Sequence, residues 1–216
     1  GARGATLPGI TEDVFATGLD ADYAAIEAAC DDVLGQIGDA SEVRVTAPAG
    51  TDITFEVGDR EWLADTGMVR DPGDFSNLPA GEVFVAPASA TGTFVVDGTM
   101  MPHGLLDDGR ELAFEVEDGF VTEIADDAIR ADVEAAADEV GDAAYNLAEL
   151  GIGTNGGVAE LVGSVLLDEK AGGTVHIAIG DNVGIGGETD APLHLDGIIR
   201  DSTVYADGDE IDLPSA

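Results

Sequence analysis

Two of the chain's three histidines, His176 and His194, stand in apolar runs towards its C-terminal end, and Asp196 follows the second by two residues. On an extended strand, residues i and i+2 point to one face, so "HLD" presents an imidazole and a carboxylate side by side. With His176 from the run "TVHIAIG" they form an N,N,O donor set suited to zinc, iron, manganese or cobalt. Either histidine alone reads as a core residue satisfied by a backbone partner, and it is Asp196 that turns the reading towards a metal. Two glutamates stand in similarly odd places. Glu82 follows "NLPAG" and opens a β run, where a solvated face is the ordinary expectation. Glu149 is expected to close a helix just before "LGIGTN", where the helix dipole opposes its charge and calls for a compensating cation. His103, in "TMMPHGLL", reads as a loop or surface histidine. Cys30, in "YAAIEAACDDVL", reads as a buried small residue rather than a nucleophile.

The elements that must position these residues follow from periodicity. From Asp22, "DYAAIEAACDDVLGQI" places Tyr23, Ile26, Cys30, Val33 and Ile37 on one stripe, a helix with Asp20 or Asp22 as N-cap. "EVRVTAP" and "GTDITFEVGDR" alternate as strands, and residues 65–82 read as a loop. Strands follow at "VFVAP" and "GTFVVDGTM", and "ELAFEVEDGFVTEI" reads as a hairpin turning at Asp118-Gly119. Residues 125–148 are expected to form a second long helix, and "GGVAELVGSVLLDEKAGG" has the spacing of a third. "TVHIAIG" and "APLHLDG" are strands joined by a Gly-rich connection. The expected class is α+β, a mixed, largely antiparallel sheet with two or three packed helices. Residues 1–40 read as an N-terminal segment and helix, and 41–216 as the catalytic domain.

Composition bounds the function. The 45 Asp and Glu residues against 8 Lys and Arg give a formal charge of -37, which excludes the electrostatic footprint of a nucleic-acid binder. With 44% hydrophobic residues and acidic residues spread over the whole length, the chain is not a disordered acidic tail. Seven of the eight basic residues are arginine and only Lys170 is lysine. Such a surface fits a protein of a high-salt cytoplasm, where concentrated salt screens self-repulsion. A single cysteine excludes an intrachain disulfide and points to a reducing compartment. No apolar stretch is long enough to span a membrane.

Four ordered stretches carry a resemblance: "SNLPAGEVFVAPASATGTFVVDGTM", "AELGIGTN", "TVHIAIGDN" and "APLHLDG". Together, from about Ser41 onward, they resemble the aminopeptidase T family of metallopeptidases. The resemblance implies an exopeptidase that removes N-terminal residues from peptides, works as a homodimer and uses one or two divalent ions of zinc, cobalt or manganese. By motif, the implied ligands are Glu82, Glu149, His176, His194 and Asp196, with Glu82 or Glu149 as general base if one ion is bound. The family's tyrosine ligand has no counterpart in "DNVGIGG", where Asp181 or Asn182 would substitute. The family's chains also carry an N-terminal domain, so this sequence reads as a C-terminal catalytic portion. Two alternatives stand beside the peptidase. One is a mononuclear iron ring-cleaving dioxygenase of the same superfamily, which also uses an HxD pair but carries histidine near the position of Glu149. The other is a metal-free, non-enzymatic member.

Overall fold

Alternating apolar and polar residues build most of the molecule as two seven-stranded sheets. The structure is a computed structural model that describes residues 1–7, 11 and 21–215. Most of the Gly-rich start and the alternative cap Asp20 lie outside the described residues. Within that start, β1 (Gly4–Thr6) is a short strand rather than irregular chain. It pairs in parallel with β5 (Phe75–Asn77), inside the stretch expected to be loop.

The first sheet runs, edge to edge, through β11 (Phe120–Ile124), β10 (Leu112–Glu117), β7 (Ser89–Val96), β3 (Asp52–Glu56), β2 (Glu42–Thr46), β15 (Thr203–Ala206) and β16 (Asp209–Glu210). Its strands alternate, as in "LAFEVE", where Leu112, Phe114 and Val116 are buried and Glu115 and Glu117 exposed. One face therefore meets the core and the other meets solvent. The hairpin β10–β11 turns at Asp118 and Gly119, with φ of 50° and 84°, the left-handed pair that a tight antiparallel turn requires.

The second sheet runs β4 (Leu63–Asp65), β6 (Glu82–Val85), β12 (Leu147–Gly153), β13 (Val175–Gly180), β14 (His194–Ile199), β8 (Thr99–Met100) and β9 (Gly104–Leu105). All its pairings are antiparallel. Every residue of β12 and β13 is buried, so these central strands are covered on both faces.

Helix α1 (Tyr23–Ile37) begins at Asp22, whose Oδ1 accepts from the amides of Ala24 and Ala25. Its buried stripe is Ile26, Cys30, Val33 and Ile37, and it joins the same apolar core as the sheets. Helix α2 (Asp127–Val140) is capped by Asp126 in the same way.

The expectation of a helix through residue 148 is corrected here. At Gly141 the backbone turns to φ 66°, ψ -139°, a 3-10 turn spans Gly141–Tyr145, and Leu147–Gly153 is a strand. A run buried on two faces shows no period of its own, so "LAELGIG" extends a helical pattern as readily as it starts a strand. Glu149 thus lies in mid-strand, and the argument from the helix dipole does not apply to it. The third helix shrinks to α3 (Val165–Asp168). Ahead of it, the Asp168 carboxylate takes the amides of Val162 and Gly163 and the Thr99 hydroxyl, so a side chain rather than helical bonding orders that segment. The class is α+β with large antiparallel sheets, as expected. Among the described residues no helix is long and apolar enough to cross a membrane.

Candidate metal centre

The register of the second sheet assembles the centre from four adjacent strands. Across the ladder, Glu82 faces Gly153, His176 faces Gly151, Glu149 faces Ala178, Asp196 faces Ala178 on its other side, and His194 faces Gly180. Each donor-type residue therefore has glycine or alanine beside it. The space left by those small residues is what the long polar side chains occupy. Gly151 is the tightest case, since a Cβ there would fall 2.0 Å from His176 Nε2. Gly153 serves the neighbouring approach, its missing Cβ leaving room for the Ala171 carbonyl at 2.1 Å.

The five residues named from the sequence come together as two donor groups that share Glu149. Glu82, Glu149 and His176 form one, Glu149, His194 and Asp196 the other, with donor atoms in each within 4.8 Å of one another. Glu149 Oε1 lies 3.4 Å from His176 Nε2, and Oε2 lies 3.3 Å from His194 Nε2. His194 Nε2 is 3.3 Å from Asp196 Oδ1, and His176 Nε2 is 3.3 Å from Glu82 Oε2. Glu82, Glu149 and His176 are buried, whereas the His194 side chain retains 34% exposure and Asp196 is half-buried. Burial corrects the solvated reading of Glu82, and the centre opens to solvent at its His194 end.

The two imidazoles are held differently. His194 Nδ1 lies 2.7 Å from the Asp181 carbonyl, which only accepts, so Nδ1 carries the proton and Nε2 faces the carboxylates. This is the support a metal-binding imidazole ordinarily has. His176 Nδ1 is buried with no hydrogen-bond partner, and Glu82 Oε2 lacks an aligned one. Buried orphaned donor atoms and a mixed imidazole–carboxylate set both fit a divalent cation. Neither stand-in for the absent tyrosine joins the donors. Asn182 spends its amide on Thr189 and Ala148, and the Asp181 carboxylate accepts from the Ala191 amide.

Charge is balanced by protons when no metal is present. Burial pushes Glu82 up to about 7, against the pull of Lys170. Burial would also raise Glu149, but its hydrogen bonds with His176 and His194 override it and draw it down to about 2. Burial acts to lower His176, yet Glu149 and Glu82 lift it to about 9. Asp196 and Glu149 likewise lift His194 to about 12 against burial.

Sequence reasoning missed Lys170 and Glu169. Lys170 Nζ sits 2.5 Å from Glu82 Oε1 and 2.7 Å from Glu169 Oε1, with all three side chains buried. The available signal was a lone lysine in an otherwise arginine-only chain, inside "LLDEKAGG". His103 lies elsewhere, 3.0 Å from Asp126 at the start of α2. Cys30 is buried against Thr154, and burial pushes its thiol up to about 11, as befits an inert core residue. A cleft lined by Leu161, Thr174, Arg200 and Asp201 contains none of the five donors.

The family model of NicX, 2,5-dihydroxypyridine 5,6-dioxygenase, matches residues 21–212. The chain belongs to this family. Its fold resembles the solved 2,5-dihydroxypyridine dioxygenase from Pseudomonas putida KT2440, with TM-score 0.76 and 23% identity, over 94% of this chain and 61% of that one. It also resembles wild-type AmpT from Thermus thermophilus, with TM-score 0.66 and 20% identity, over 92% and 55% respectively. This NicX-family chain thus spans about three fifths of the length of these relatives. No curated protein matches its sequence significantly. The resemblance to aminopeptidase T holds for the fold, while the family assignment is corrected to that of the dioxygenase.

Proposed function

We propose that this chain carries the metal-binding part of a dioxygenase that cleaves a dihydroxylated nitrogen-containing aromatic ring, of the dihydroxypyridine class. The observation that carries this reading is the family match over residues 21–212. The site supports it through a compact set of imidazoles and carboxylates with one end open to solvent. His194, Asp196 and Glu149 would hold the ion, with His176 beside them. Ferrous iron bound there supplies the redox chemistry that couples dioxygen to an electron-rich ring.

The protein's own groups orient and discharge the substrate. His194 and Asp196, at the open end, form the side from which a planar ring reaches the centre. Glu149, accepting from both imidazoles, fixes their orientation. Glu82 is the carboxylate whose acidity lies near neutral, and its Oε2 is the atom left to take a proton from a ring hydroxyl. Anaerobic loading with ferrous iron in molar salt, followed by 2,5-dihydroxypyridine and air, should give oxygen uptake matched by loss of the substrate's absorbance. Absence of uptake by folded, iron-loaded protein would sink this reading.

A second reading rests on Glu149 alone. A carboxylate shared by two donor groups is the arrangement by which one residue bridges two ions, as in two-metal hydrolysis. That reading is a metallo-aminopeptidase, tested with amino-acid anilides in the presence of zinc, cobalt or manganese.

A further inference from the structure

The two halves of the centre are finished in different ways. The half at His194 is built as a metal site: Nδ1 is tied to the Asp181 carbonyl, Nε2 faces Glu149 and Asp196, and solvent reaches the donors. The half at Glu82 already contains a cation. Lys170 Nζ contacts Glu82 and Glu169, and the lysine is 1% exposed. Its backbone is fixed as firmly as its side chain, the amide donating to Leu167 and the carbonyl accepting from Asn155. The Asn155 side chain in turn donates to the Ala80 carbonyl, two residues from Glu82. A strongly hydrated ammonium on a flexible stem is held dry here by two carboxylates and a rigid loop.

A metal ion bound to Glu82 would lie roughly 2 Å from a carboxylate oxygen. It would then be a close neighbour of Nζ, like charge against like charge, with no water between them to screen the repulsion. His176 reinforces the contrast, because its Nδ1 lacks the acceptor that His194 has.

We propose that Lys170 is the resident cation of the Glu82 half and the positioning residue that sets the metal count. With Lys170 in place the centre takes one divalent ion, on Glu149, His194 and Asp196, and Glu82 is the partner of Lys170 rather than a ligand. The inference rests on the metal reading of the site and is independent of whether the reaction is oxygenation or hydrolysis.

The test is metal stoichiometry of the whole chain in molar potassium chloride, by elemental mass spectrometry after cobalt(II) loading and desalting, with the visible cobalt spectrum as a second readout. Wild type should hold one ion per chain. Lys170→Met should hold two, with a new set of cobalt bands. Glu82→Gln, which leaves Lys170 paired with Glu169, should keep its single ion with affinity reduced by less than about tenfold, the lower edge of outer-shell effects. Two ions in wild type, one ion in folded Lys170→Met, or loss of the ion from folded Glu82→Gln would each overturn the proposal. If Lys170→Met does not fold, the other two proteins decide. One ion with no oxygen uptake removes the dioxygenase reading and leaves this one standing, whereas no ion in wild type removes both.

Discussion

The two seven-stranded sheets use charge in opposite ways. In the first sheet, strands alternate and their charged residues face solvent, as in the cross-strand pair of Arg44 and Asp52, about half exposed and bidentate at 2.7 and 2.8 Å. In the second, β12 and β13 are buried throughout and yet contain Glu149 and His176. A charge on the first sheet costs almost nothing to keep, because water solvates it. A charge in the second is tolerated only where partners surround it, since an unpaired buried ion costs several kcal/mol, of order. Polar residues within the two-sided sheet therefore mark chemistry, while the far more numerous ones on the one-sided sheet mark solvent.

The sharpest way to break this contrast is Glu149→Gln. It removes the one carboxylate that both imidazoles touch, and metal affinity should fall by at least about 100-fold, as calorimetric titration would register. An unchanged affinity would show that Glu149 is only a spacer. Gly151→Ala is next, placing a methyl group where the His176 ring lies. Overpacking of this kind should cost about 1–3 kcal/mol in chemical denaturation and displace the ring. A variant as stable as the parent would mean that the small residues beside the donors are incidental.

A subtler effect is expected from pH. In the metal-free chain, the folded-state pKa of His176 is about 9, above its ordinary 6.5. Its proton-linked stability is full below 6.5 and is lost as pH rises through about 9. Melting temperature of the metal-free protein should decline across that window, and His176→Gln should flatten the decline. A bound metal replaces the proton, so metal affinity should rise over the same range. The smallest effect belongs to the first sheet. Arg44→Ala should leave the melting temperature in molar salt indistinguishable from wild type, because the pair is exposed and screened. A clear drop would erase the distinction between the sheets.

How much of this was legible in the sequence depends on burial. His194 and Asp196 could be placed on one face because strand alternation is a local rule. The capped start of α1 and the Asp118-Gly119 turn were readable for the same reason, each depending on a few adjacent residues. Glu149 was named through its motif but set in the wrong element, because a strand covered on both faces has no alternation to read. Glu82 looked like a solvated residue, since nothing local announces that β4 and β12 flank it. Lys170 escaped notice because its meaning is a long-range contact, 88 positions from Glu82. Its rarity alone could have flagged it: a chain that answers salt with arginine keeps a single lysine where no salt can reach.

The gradient of exposure along the centre also sets its history in time. The Glu82 and Lys170 end closes as the sheet closes, so its cation is fixed once, at folding, and stays for the life of the molecule. The His194 end faces solvent in the finished protein, and an ion there can arrive, leave or be exchanged without a strand coming apart. One centre thus joins a permanent charge to a replaceable one.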